Sequence, residues 1–167
     1  VILDRDKTIN EDPGYLNDAA RVELMPGAAE GIALLNHFGV RIFVASNQSG
    51  VARGLITPQQ LAAVNARITE LLAARGAHVG KFYVCTHGDE DNCDCRKPKP
   101  GLIRQIMAEN GIDSEKTYIA GDRARDLECG REFGLRGILV GDSSEPMPPS
   151  MAFRAADLRE VASFVLE

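Results

Sequence analysis

The 167-residue sequence has no run of apolar residues long enough to form a spanning helix, so an integral membrane protein built on such a helix is excluded. It has no excess of basic charge. Nineteen Lys and Arg stand against 24 Asp and Glu, a formal charge of −5, which argues against non-specific binding to nucleic acid or a membrane surface. Internal repeats and low-complexity tracts are also missing, and no secretory leader is visible. Val1 already reads as part of an apolar strand, which leaves room for a few residues upstream. Hydrophobic residues make up 44% and charged residues 26%, the balance of a globular domain with a real core. A single domain over 1–167 is expected, in the cytoplasm and as a monomer, because no dimer seam can be read from the sequence.

Cysteine is scarce and unevenly placed. Cys85, Cys93 and Cys95 crowd around His87, while Cys129 stands alone in an apolar helical stretch and reads as core. Without a secretory signal, a clustered Cys/His set reads as a metal site before a disulfide framework. Three thiolates and one imidazole suit tetrahedral Zn²⁺ and leave no position for a catalytic water. The expected zinc is therefore structural, a staple on the loop over about 85–101.

Short β-branched runs alternate with helical patterns along the chain. Strands are expected at Val1–Leu3, Arg41–Ala45, Lys81–Val84, Thr117–Ala120 and Gly137–Val140. Helices are expected from Pro26 to Phe38, from the Thr57-Pro58-Gln59-Gln60 capping box to near Gly76, and around Leu102–Met107 as far as Gly111. Two more are expected over Arg125–Phe133 and from near Asp157, while 141–150 reads as loop. Strands joined by helical crossovers form a parallel sheet covered on both faces. The expected fold is thus a Rossmann-like α/β domain of about five core strands. In such sheets, ligands bind beyond the carboxyl ends of the strands. Those ends carry Asp4 and Asp6, then Ser46-Asn47-Gln48, then the cysteine loop, then Gly121-Asp122.

Strand alternation places Asp4 and Asp6 on one face and points Arg5 away. Two neighbouring carboxylates raise each other's pKa, so one can serve as nucleophile or metal ligand and the other as proton donor. The same residues could equally form a turn that caps backbone groups. A carboxylate in Gly121-Asp122-Arg123-Ala124-Arg125-Asp126 could complete an oxygen site for Mg²⁺, while either Asp122 or Asp126 could simply start the next helix. The turn Ser46-Asn47-Gln48-Ser49-Gly50 can offer donors to a phosphate. Within Arg96-Lys97-Pro98-Lys99-Pro100-Gly101, Lys97 could neutralise the carboxylates and clamp a phosphoryl oxygen, and Lys99 reads as solvated.

Taken in order, Asp4-x-Asp6-x-Thr8, Ser46, Lys97 and Gly121-Asp122 with Asp126 resemble the four motifs of the haloacid dehalogenase superfamily. DRDKTIN, DPGYLN, SNQSGVARG and CDCRKPKPG resemble its zinc-containing branch of sugar bisphosphate and histidinol-phosphate phosphatases. The resemblance implies that Asp4 is the nucleophile forming an aspartyl-phosphate and Asp6 the acid/base. It implies Mg²⁺ held by Asp4, the backbone carbonyl of Asp6 and Asp122, with Ser46 and Lys97 on the phosphoryl group. Cys85, His87, Cys93 and Cys95 would bind Zn²⁺.

Substrate contacts would come from Arg96 and Arg123, from Asn47, Gln48 and Ser49, and from Asp12, Gly14 and Tyr15 in a flap over about 7–25. No insertion is long enough for a large cap domain. The implied substrate is a small sugar phosphate, with heptose 1,7-bisphosphate first and histidinol phosphate as the alternative. The heptose case implies an envelope pathway feeding lipopolysaccharide. A non-enzymatic phospho-acceptor is the competing class, and Asp6 argues against it. Lys7 departs from the pattern by standing where the branch usually has glycine.

Overall fold

The computed structural model describes every residue except 143, 147 and 150, so those three positions of the expected 141–150 loop lie outside the described residues. Six strands form one parallel sheet in the order β3-β2-β1-β4-β5-β6. They are β1 (Ile2–Leu3), β2 (Phe43–Asn47), β3 (Phe82–Cys85), β4 (Tyr118–Gly121), β5 (Arg136–Val140) and β6 (Met151–Ala155). The helices are α1 (Ala28–His37), α2 (Pro58–Ala73), α3 (Gly101–Asn110), α4 (Ala124–Glu128) and α5 (Leu158–Leu166). No described helix is long and apolar enough to cross a membrane.

Side-chain alternation along the strands divides the core in two. Leu3, Val44, Ala120, Ile138 and Val140 face α1, α2 and α5, burying Ile32, Leu35, Val64, Ile68, Leu72 and Val161. Ile2, Phe43, Ala45, Ile119 and Leu139 face the other way, onto Leu102, Ile103 and Ile106 of α3 and Leu127 of α4. Both faces of the sheet are covered, as an all-parallel sheet requires.

Three elements differ from expectation. Strand β2 is shifted two residues along from Arg41–Ala45: Arg41 and Ile42 lie outside it, and it runs on through Ser46 and Asn47, which pair in register with Val84 and Cys85 of β3. The helix expected over Arg125–Phe133 ends at Glu128, and a separate 3-10 turn covers Arg131–Phe133. Gly130 intervenes, and a Cβ there would meet Leu135 at 3.1 Å. The sixth strand, β6, lies at the sheet edge with Met151, Phe153 and Ala155 turned inward.

The chain leaves β1 toward β2 and β3, then returns to place β4 on the other side of β1. The sheet therefore has a switch point at its centre, where a crevice opens beyond the strand ends. Segment 7–25 leaves this edge on a paired stem: Glu11 N donates to Glu23 O at 2.9 Å and Met25 N to Ile9 O at 2.9 Å. Leu16 and Val22 anchor it in the core. Lys7, at its base, has φ 60°, the left-handed region that suits glycine. A non-glycine residue there costs ~1 kcal/mol, too little to threaten a fold stable by roughly 5–15 kcal/mol.

Candidate active site

At the switch point, Asp4 stands immediately beyond β1, tied to the sheet by its own N–H on Ala120 O at 2.8 Å. Lys97 reaches it from the loop before α3. The Lys97 ammonium lies 2.6 Å from Asp4 Oδ1 and 2.7 Å from Asp126 Oδ1, and donates to Ala45 O at 2.8 Å. All three donor positions of the ammonium are thus used.

One buried cation between two buried carboxylates leaves a negative charge over. Burial first, and the Asp126 carboxylate second, push Asp4 up to about 7 against the pull of Lys97. Burial lowers Lys97, but Asp4 and Asp126 more than offset it and hold the lysine above its ordinary value. Asp122 is also raised, by burial and then by Asp126. Carboxylate oxygens of Asp4, Asp122 and Asp126 come within 4.8 Å of one another. Hard oxygen donors with surplus negative charge fit Mg²⁺.

Asp126 was expected either to bind metal or merely to start a helix. It accepts from Arg123 N at 3.0 Å, which caps α4, and with its other oxygen holds Lys97. Gly121 makes this possible, since a Cβ there would fall 2.5 Å from Asp126 Cβ. The sequence could not show this second role, because Lys97 lies far away along the chain.

Asp6 is held more firmly than alternation alone foretold. Arg5 does not line the cavity with Asp4 and Asp6, and its fully buried guanidinium lies against Asp6, with Nε to Oδ1 at 2.9 Å and Nη2 to Oδ2 at 3.1 Å. Asn10 Nδ2 donates to Asp6 Oδ1 at 3.0 Å and Gln48 Nε2 to Oδ2 at 2.7 Å. Gln48 Nε2 also donates to the buried Ser46 hydroxyl at 2.8 Å. The Asn47 side chain exchanges two hydrogen bonds with the Lys97 backbone, at 3.0 and 2.9 Å. The amides of Asn47 and Gln48 are therefore used first inside the protein, fixing Lys97 and Asp6.

A cavity of about 380 Å³ opens over this cluster. Asp4, Asp6, Asp12, Gly14, Tyr15, Asn47, Gln48, Ser49, Arg96, Lys97, Asp122 and Arg123 all line it, whereas Ser46 does not. Lys7, Gly50, Arg53, Arg125 and Asp126 complete the wall and were not among the expected contacts. Arg53 could have been noticed in SNQSGVARG, on the loop that follows β2. Arg123 is not a free cation: it pairs with Asp122 at 3.4 Å and Glu145 at 3.2 Å.

Beside the cavity, Cys85, His87, Cys93 and Cys95 converge with one donor atom each within 4.8 Å. Cys85 Sγ lies 3.6 Å from both His87 Nδ1 and Cys93 Sγ, and Cys95 Sγ lies 3.3 Å from His87 Nδ1. A tetrahedral zinc with Zn–S about 2.3 Å sets its ligand atoms roughly 3.5–3.8 Å apart, so this spacing fits. The 2.9 Å approach of Cys95 to Cys85 is tighter. Burial opposes ionisation of Cys93, but the Arg96 N–H and the thiols of Cys85 and Cys95 bring it down to about 7. Gly101 lets α3 start against this loop, since a Cβ would fall 2.4 Å from Asp94 O. Cys129 is buried as expected, away from the cluster.

A family model described as HAD-hydrolase-like matches residues 94–160. Over its whole length the chain is 39% identical to a D-glycero-beta-D-manno-heptose-1,7-bisphosphate 7-phosphatase of Pseudomonas aeruginosa, covering 97% of that protein. It is 30% identical to the protein of the same name from Pasteurella multocida, again over the whole chain and 90% of the relative. A crystal structure of D,D-heptose 1,7-bisphosphate phosphatase from B. bronchiseptica, complexed with magnesium and phosphate, superposes with a TM-score of 0.90 at 31% identity. The match covers 99% of this chain and 97% of that one.

Proposed function

The chain belongs to the haloacid dehalogenase-like phosphatases, and from that premise we propose that it removes the 7-phosphate of D-glycero-D-manno-heptose 1,7-bisphosphate. It is a phosphoric monoester hydrolase. The observation that carries this reading is the Asp4–Lys97–Asp126 cluster at the switch point, with one negative charge in excess and a cavity above it.

Asp4 Oδ attacks the phosphorus, and the sugar oxygen leaves with a proton from Asp6. Asp6 then takes a proton from water, whose oxygen attacks the aspartyl-phosphate and frees inorganic phosphate and the Asp4 carboxylate. The phosphoryl oxygens are assigned to Lys97 and the Ser46 hydroxyl. Lys97 can turn a donor to them as Asp4 bonds phosphorus, and the Ser46 hydroxyl must first leave Gln48 and turn into the cavity. Asp126 keeps Lys97 in place, and Arg5, Asn10 and Gln48 keep Asp6 aimed. Mg²⁺, held by Asp4, the Asp6 carbonyl and Asp122, would supply charge neutralisation for the transferring group. Cys85, His87, Cys93 and Cys95 would hold a structural Zn²⁺ that fixes the loop presenting Arg96 and Lys97.

Sugar contacts come from Arg96, Arg123, Ser49 and the Asp12–Tyr15 flap. The enzyme works as a cytoplasmic monomer in making a bacterial envelope heptose, with no nucleic-acid or membrane partner.

The test is phosphate release from heptose 1,7-bisphosphate and L-histidinol phosphate side by side, with Mg²⁺ and with chelator. A preference of tenfold or more for the bisphosphate, about 1.4 kcal/mol in the transition state, is expected. Preference for histidinol phosphate would overturn the substrate and leave the catalytic roles intact. A long-lived phosphoprotein with no turnover would replace the enzyme by a phospho-acceptor.

A further inference from the structure

Two guanidinium groups stand at the cavity mouth and share one carboxylate. Arg53 belongs to the loop after β2, and Arg96 to the loop that closes the Cys/His cluster. Asp89, in the 3-10 turn Asp89–Asp91, takes a hydrogen bond from Arg96 Nε at 2.7 Å and stands 4.0 Å from Arg53 Nη2. On its other side, Arg53 lies over the ring of the flap residue Tyr15, 5.9 Å from the centroid. Arg53 is therefore where three segments shaping the mouth meet.

The exposures differ in an informative way. The Asp89 side chain is 71% exposed and that of Arg53 52%, whereas that of Arg96 is 17%. Asp89 brings one negative charge to two positive ones and leaves the pair cationic. A phosphate monoester brings about two charges and three acceptor oxygens, and planar guanidinium forks match it better than they match one carboxylate. The Arg53–Asp89 pair is exposed on both sides and contributes little, and the Arg96–Asp89 pair is open on the Asp89 side, so an incoming phosphate can displace Asp89. Two other cations of the wall are already engaged, Lys97 by Asp4 and Asp126, and Arg123 by Asp122 and Glu145.

We propose that Arg53 is a further specificity residue, which with Arg96 receives the phosphate that is not transferred, and that Asp89 is the resident anion holding both arginines at the mouth until that phosphate replaces it. The inference rests on the reading of the substrate as a sugar bisphosphate. It adds the Arg53–Asp89 pair to that reading and gives Asp89 a role opposite in sign to that of Arg53.

The experiment compares kcat/KM for heptose 1,7-bisphosphate with kcat/KM for phenyl phosphate, which has no second phosphate, in the wild type, R53A, R53K and D89N. R53A should lower the bisphosphate-to-phenyl-phosphate ratio about tenfold, through KM, the order expected for one charge-assisted contact. R53K should recover part of that loss, and D89N should hold or raise the ratio. A ratio unchanged in R53A, or one that falls as far in D89N as in R53A, overturns the proposal. A wild type without preference for the bisphosphate overturns the substrate reading itself, before any variant is considered. Thermal melts of the variants separate these outcomes from misfolding, and these half-exposed side chains should leave the melts unchanged.

Discussion

Cys95 and Lys97 are near neighbours in the chain, yet they serve two clusters built on opposite plans. The oxygen cluster draws Asp4 from after β1, Lys97 from the loop before α3, and Asp122 and Asp126 from after β4. The sulfur cluster takes all four ligands from one short stretch, the end of β3 and the loop that follows it, Cys85 to Cys95. The first opens onto a cavity and carries surplus negative charge. The second has four soft ligands and no position left for a reacting group. Long-range assembly with an open face suits chemistry, and local assembly with a closed shell suits a staple. Arg96 lies between the two and carries the position of one into the geometry of the other.

The sharpest way to separate the clusters is Asp4→Asn. Turnover should fall by at least about 10³-fold, because the proposed nucleophile is lost. Since the substitution also removes the surplus buried charge, the melting temperature should hold or rise, as a thermal melt beside the phosphatase assay will show. An active variant would end the aspartyl-phosphate mechanism.

Removing metal from the sulfur cluster should act the other way, on stability first. Metal analysis should find one zinc per chain. A strong chelator, or Cys95→Ser, should cost several kcal/mol, roughly 10 °C of Tm or more. Unchanged melting would dismiss the staple.

The smallest effect is in pH. Asp4 is raised from 3.8 to about 7 by burial and Asp126, so the metal-free protein loses that group's stabilising contribution as pH rises through 7. Magnesium needs the carboxylate ionised, so its affinity, read by calorimetry, should tighten about tenfold between roughly pH 6 and pH 8. A flat profile would mean that Asp4 is not a ligand whose proton competes with the ion.

Where the sequence was easily read, the signal was local. The Thr57 capping box announced α2, and both of its reciprocal hydrogen bonds are present. The Cys/His spacing announced a cluster because its members are close along the chain. Asp4, Asp6 and Asp122 were marked by their places at strand ends and Lys97 by its basic, proline-flanked loop, and all four line one cavity. Strand β2 reads two residues too early in the sequence because Ser46 and Asn47 are polar, yet ladder pairing with β3 outweighs that. Strand β6 was missed because Met151-Ala152-Phe153-Arg154-Ala155 is a weak, partly exposed alternation on a sheet edge. Arg5 on Asp6, Asp126 on Lys97 and Arg53 at the mouth were invisible for another reason. Each depends on where a long side chain bends or which distant loop it meets, and a one-dimensional pattern carries neither.

Asp4 and Lys97 lie 93 positions apart, and Asp126 comes later still. On the ribosome, Asp4 emerges well before Lys97 and Asp126, and its buried charge has no partner until they follow. Closing so long a loop is slow and is rewarded only at the end. A nascent or truncated chain that stops short of Asp126 therefore cannot assemble this cluster, however well its early strands have formed. Catalytic competence therefore waits on contacts that span most of the sheet.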